Sequence, residues 1–116
     1  MNEDDTERFK PLERLRKKLM VENLYIWILI LLQEEKKYAY ELKNEIKERF
    51  GFAPATVTSY AVLYKLNREG YVETITQNPF PNRKYYQITP KGEKLIEETK
   101  KVFKELYHEL FGEELT

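Results

Sequence analysis

Hydrophobic positions fall first at helical spacing. Phe9, Leu12, Leu15 and Leu19 recur three or four residues apart, with Arg14, Arg16, Lys17 and Lys18 interleaved. This predicts an amphipathic helix over residues 8–20, with Pro11 in its first turn. After Asn23, a residue suited to capping, the pattern changes: Leu24–Leu32 is nine apolar residues in succession. That is too short to span a bilayer, which takes about 20 residues, so it predicts a buried helix. A helix apolar all round needs cover on every side, more than a chain of 116 residues easily supplies. Dimerisation is the expected source of the missing cover. A third helix is predicted from Tyr38, with Leu42, Ile46 and Phe50 inward and Gly51 as its stop. Phe52-Ala53-Pro54-Ala55 reads as a turn. Thr56–Arg68 reads as a fourth helix burying Val57, Tyr60 or Ala61, Leu63 or Tyr64, and Leu66.

Beyond Gly70 the period shortens to two. Tyr71–Thr76 reads as a strand, Gln77–Asn82 as a loop stiffened by Pro79 and Pro81, and Lys84–Ile88 as the returning strand. In Arg83–Gly92 strand alternation gives way to a helix start, with Thr89 as cap and Pro90 at the first helical position. The last helix is predicted from Pro90 to Phe111, ended by Gly112, with a stripe of Leu95, Ile96, Val102, Phe103, Leu106 and Leu110. Helix, turn, helix and hairpin in this order predict a mainly α (α+β) fold, a winged helix-turn-helix with a two-stranded wing. The expected organisation is an amphipathic extension over 1–22, the winged helix-turn-helix over 23–89, and a dimerisation helix over 90–116.

The formal net charge is zero, with 20 basic and 20 acidic residues, but the charge is unevenly placed. Residues 1–35 carry 6 basic and 8 acidic groups, residues 36–91 carry 10 and 5, and residues 92–116 carry 4 and 7. The excess cation lies on the helix-turn-helix and wing, and local Lys and Arg govern affinity for phosphates. Cysteine is absent and His108 is the sole histidine, so no metal or cofactor is expected. The acidic start Met1–Asp5 lacks the layout of a signal peptide, and a soluble cytoplasmic protein is expected. No glycine-rich phosphate loop or paired nucleophile and base points to an enzyme.

Three segments in order carry a family likeness: Tyr40-Glu41-Leu42 after the apolar helix, Thr58–Gly70 (Thr-Ser-Tyr-Ala-Val-Leu-Tyr-Lys-Leu-Asn-Arg-Glu-Gly), and Arg83-Lys84-Tyr85-Tyr86 with Thr89-Pro90-Lys91-Gly92. Over roughly residues 24–96 the chain resembles the PadR-type transcriptional regulators, a family of dimeric winged-helix proteins. Tyr38-Ala39 stands where that family has His-Gly, and Ala39 is harmless in a helical start; Ser59 and Ala61 replace Leu and Pro, changes near Tyr60 that bear on sequence preference more than on fold. The resemblance implies a homodimeric DNA-binding repressor of the short type with one C-terminal helix. It also implies a space between the apolar helix and the last helix that holds flat aromatic ligands. The other reading is a winged-helix protein-interaction module without a DNA role.

The helix 56–68 is expected to enter the major groove by its N-terminal end. Thr56, Thr58 and Ser59 are short donors for phosphates or bases, although Thr56 alone could serve as a cap. Tyr60 matches a family position near the DNA backbone and could equally be core. Lys65 is expected to reach phosphate, while Arg68 is more suited to the helix's terminal carbonyls. Arg83 and Lys84 place two cations on the wing, where Tyr85 and Tyr86 pack it to the body. Lys36, Lys37, Tyr38 and Lys43 border the preceding helix, and of these Lys43 is kept as a DNA contact. The cations Arg14, Arg16, Lys17 and Lys18 read as a solvated face or as an accessory DNA arm. Tyr25, Trp27, Phe103 and Tyr107 are the candidate effector pocket, and Leu24, Ile28, Leu95, Val102, Phe103, Leu106 and Leu110 the candidate dimer interface.

Overall fold

The structure, a computed structural model, describes residues 9–77 and 80–116. Asn78 and Pro79 of the expected loop, and the acidic start of the chain, lie outside the described residues. The elements run α1 (Lys10–Met20), α2 (Leu24–Glu34), β1 (Lys37–Tyr38), α3 (Ala39–Phe50), α4 (Thr56–Arg68), β2 (Val72–Gln77), β3 (Phe80–Ile88) and α5 (Pro90–Phe111). The sheet is antiparallel in the order β1-β3-β2. The wing therefore has a third, two-residue strand that the sequence pattern does not announce: Lys37 pairs with Tyr86 and Tyr38 with Tyr85. A register shift at Thr76/Gln77 lets β3 begin at Phe80, inside the stretch expected to be loop.

Helix α2 is the hub. Leu24, Ile28, Leu29, Leu31 and Leu32 are buried within the single chain, against Leu42 and Ile46 of α3, Leu63 and Leu66 of α4, Val72 and Tyr86 of the sheet, and Ile96 of α5. This corrects the expectation that a partner must cover α2. Leu24 and Ile28, each 1% exposed, are core residues rather than interface residues. Asn23 does not cap α2: its Nδ2 donates back to the Lys18 carbonyl (2.6 Å), and the Trp27 indole N–H donates to the Leu19 carbonyl (3.1 Å). The two bonds satisfy carbonyls at the end of α1 and pin it to α2.

The α3 start is also local chemistry. Glu41, at the third position of the helix, accepts the Tyr38 backbone N–H (3.2 Å), half of a capping box. Gly51 ends the helix at φ +79°, its N–H on the Lys47 carbonyl. Lys37 is buried, its Nζ 2.9 Å from Glu45 Oε2 and 3.5 Å from Glu35 Oε1. Burial alone drives its pKa down, but hydrogen bonding and attraction to Glu45 and Glu35 outweigh this and raise it above the ordinary lysine value. At the other end of the unit, Thr89 Oγ1 donates to the Gly70 carbonyl (2.6 Å) and accepts the Gly92 N–H (3.1 Å), and the Thr89 N–H donates to the Tyr71 carbonyl (3.1 Å).

Candidate nucleic-acid interface

Helix α4 has two faces. Ser59, Leu63 and Leu66, at i, i+4 and i+7, point into the core. Val57 (81% exposed), Tyr64 (67%) and Tyr60 (53%) stand outward. Val57 was expected to be buried. It falls two residues from Ser59, on the opposite side of a helix with 3.6 residues per turn. An exposed valine and two exposed tyrosines on a short helix form a surface shaped for contact rather than for solvent alone. Neither Val57 nor Tyr64 was among the DNA contacts expected from sequence, where Val57 was read as buried and Tyr64 as an alternative to Leu63 in the core. The signal that could have found them is the strict 59/63/66 core spacing, which turns 57, 60 and 64 outward.

A line of side chains runs from the wing to the start of α4. The Arg83 guanidinium lies 4.6 Å over the Tyr38 ring, a cation–π contact. Tyr38 packs edge-on to Tyr85 (5.8 Å between centroids) and stacks on Tyr40 at 6.5 Å. Tyr40 is exposed, and Lys43 follows one helical turn later. Lys43 Nζ donates to Thr56 Oγ1 at 2.5 Å. The wing base, the start of α3 and the start of α4 are thus joined in one cationic and aromatic surface. Tyr40 was not anticipated as a member of it.

Of the sequence-predicted contacts, Thr56, Tyr60, Lys43, Arg83 and Lys84 belong to or border this surface, and Thr58 is half-buried. Thr56 does not act as the cap, which is Ala55. Ser59 is corrected: it is 6% exposed and its hydroxyl donates to the Ala55 carbonyl (3.1 Å), so it cannot meet a ligand. Lys65 is exposed on the other flank of α4, where it lines a cavity of about 360 Å³ with Glu22, Tyr25, Val62, Glu69 and Tyr71. Lys37, a candidate for phosphate contact, is occupied by its internal ion pair. Tyr86 is buried, which raises its phenol pKa, with a smaller effect from nearby Tyr60.

The four candidate effector residues do not all come together. Tyr25 and Phe103 line a cavity of about 290 Å³ with Leu19, Ile26, Val102 and Leu106. The Tyr25 hydroxyl donates to Thr99 Oγ1 (3.0 Å), whose own proton goes to the Leu95 carbonyl. Trp27, two residues from Tyr25 and so on the opposite side of α2, packs on Phe50 (4.8 Å) and Phe52 (5.4 Å). Tyr107 pairs with Phe111 at 5.0 Å. Both are corrected out of the pocket. The candidate interface divides similarly: Val102, Phe103, Leu106 and Leu110 are exposed, and Leu95 is half-buried. Among the described residues, no His, Asp or Glu cluster could hold a metal ion, and no helix is long and apolar enough to cross a membrane.

Comparison with known proteins supplies the relationship. The profile of the PadR-like transcriptional regulator family matches residues 28–98, more than half of the chain. No curated protein matches it. Among solved structures, a transcriptional regulator from Clostridium thermocellum is similar with a TM-score of 0.69 at 24% identity, covering 86% of this chain and 92% of that one; it shows the shared fold. A PadR family transcription regulator from Clostridium difficile is 26% identical with a TM-score of 0.59, over 74% of this chain and 97% of that one. Bacillus subtilis PadR in complex with operator DNA is 25% identical with a TM-score of 0.59, over 65% of this chain and 45% of that one. The profile covers the winged helix-turn-helix and the first turns of α5, the parts that build the surface described above. The chain belongs to the PadR-like family of transcriptional regulators, a family of regulators and not of enzymes.

Proposed function

We propose that the protein is a sequence-specific DNA-binding repressor acting as a homodimer. The observation that carries this is the outward face of α4, where Val57, Tyr60 and Tyr64 stand exposed beside a cationic wing. The α4 N-terminus enters the major groove, Thr56, Thr58 and Tyr60 lie near the phosphates, and Val57 and Tyr64 press on base edges. Lys43, Arg83 and Lys84 contact the backbone, and Lys65 reaches phosphate only from its flank. Residues 90–116 join two subunits, so that two copies of α4 meet half-sites about one helical turn apart, ~34–36 Å. The operator structure of Bacillus subtilis PadR supports the DNA reading.

A planar aromatic effector is proposed for the cavity between α2 and α5, with Tyr25 and Phe103 as its walls. Its size, about 290 Å³, is near the lower bound of small-molecule sites.

The deciding experiment titrates the protein into labelled genomic fragments that include its own upstream region, at two salt concentrations. Tight, salt-sensitive binding to one fragment with two chains per site is expected. Weak binding that is alike on all fragments and indifferent to salt overturns the reading in favour of a protein-interaction module.

A further inference from the structure

Among the helices of the described residues, α1 alone contributes no buried residue. Its apolar stripe is nonetheless regular: Phe9, Leu15 and Leu19 are exposed along it. Residues 10–20 carry five basic groups and one acidic group. The C-terminal half of α5 is the mirror case. Val102, Leu106 and Leu110 form an exposed stripe, and residues 105–116 carry four glutamates with no lysine or arginine. Net charges of +4 and −4 therefore sit beside two uncovered apolar faces. Glu105 and Glu109, four apart, border the α5 stripe, while Arg16 and Lys18, the latter paired with Glu22, border that of α1.

Within one chain the two stripes barely meet. Only Leu19 of α1 reaches the cavity floored by Val102, Phe103 and Leu106, while Leu15 stays half exposed away from it. The bonds from Asn23 and Trp27 hold α1 by its C-terminal end, so it cannot fold freely onto its own α5. A phosphate backbone would use the cations and leave the apolar stripe uncovered. A second copy covers both.

We infer that α1 is a strap that docks on the C-terminal half of α5 in a second copy of this chain, with Arg16 and Lys18 facing the partner's acidic flank. The inference rests on the homodimer proposed above. Two-fold symmetry forms the contact twice.

Two charge-reversed full-length proteins test it: Arg16→Glu with Lys18→Glu, and Glu105→Lys with Glu109→Lys. Arg16 is half-buried and the other three positions are exposed, and far-UV circular dichroism checks that each variant keeps its helices. Sedimentation equilibrium of each variant alone is expected to show dimerisation weakened about tenfold. The equimolar mixture is expected to regain wild-type affinity, because both straps of the heterodimer pair opposite charges. No recovery in the mixture overturns the inference, since a contact within one chain cannot be repaired in trans. An unchanged dimer in both variants overturns the strap and leaves the homodimer standing. If the first variant dimerises normally but binds operator with a shallower salt dependence, α1 is a DNA arm and the strap is overturned. A wild-type protein that is monomeric at every concentration overturns the homodimer, and the strap with it.

Discussion

A β-carbon added at Gly92 would lie 2.2 Å from the Tyr71 carbonyl oxygen and 2.7 Å from Ile88 Cγ1. The Thr-Pro-x-Gly signature is thus a packing requirement: Thr89 caps α5, and Gly92 lets its first turn touch the backbone before β2. Gly92→Ala is expected to cost about 2–3 kcal/mol, as overpacking against an immovable neighbour does, read as a lower urea midpoint with unchanged m. Lys37 gives a second single-residue prediction. Its raised pKa means that the unfolded chain gives up the proton first, so its contribution is complete below the ordinary lysine value of ~10.4 and is lost as pH rises through the folded value. Tyr86, also raised, acts with the same sign from its ordinary ~10. Lys37→Met should cost about 2 kcal/mol at pH 7, less than the ~3–5 of a fully buried pair, because Glu45 is 30% exposed. Urea unfolding of this variant between pH 9 and 11.5 should show a shallower alkaline loss than wild type.

At the scale of elements, stability and recognition separate on α4. Tyr64→Ala should leave the melting temperature within ~2 °C, since Tyr64 is two-thirds exposed, and weaken operator binding by about 1–3 kcal/mol. Leu63→Ala, one residue away and fully buried, should instead unfold the protein by about 2–5 kcal/mol. On the wing, Arg83→Ala with Lys84→Ala should weaken binding to all sequences and reduce the salt slope by about 2, read from binding isotherms at several salt concentrations.

Most helices were legible in the sequence because they carry a stripe at helical spacing, and some also a recognisable stop such as Gly51 or Gly112, while α2 was legible as an unbroken apolar run. Strand β1 was not, since two residues have no period, and its existence depends on where β3 passes. Val57, Ser59 and Trp27 were misplaced for one reason: residue type suggests a partner, but the side of the helix decides it. Of the candidate site, the wing cations and the start of α4 were readable. The Tyr38–Tyr40–Arg83 stacking was not, because it joins residues more than forty positions apart.

For the whole molecule, the uneven distribution of charge and uncovered apolar surface matters more than the net charge of zero. The DNA-reading half closes its own core around α2, so it can fold before any partner is met. Leu110 is 71% exposed near the end of α5, and Leu110→Glu should leave the fold intact while dispersing the proposed homodimer. Light scattering should then report monomer, and operator affinity should fall by at least about 100-fold, because one half-site alone must hold the protein.

The bonds that Thr89 makes to Gly70, Tyr71 and Gly92 leave no slack between the last strand and α5. They couple the wing directly to the start of the long helix. A 22-residue helix is about 33 Å long, so tilting it by about 5° at a subunit contact sweeps its other end through about 3 Å. That is close to the rise of one base pair, about 3.4 Å. A small change in how two copies of α5 cross would therefore shift the spacing of the two reading heads by a full step of the duplex, with no need to alter any residue that touches DNA.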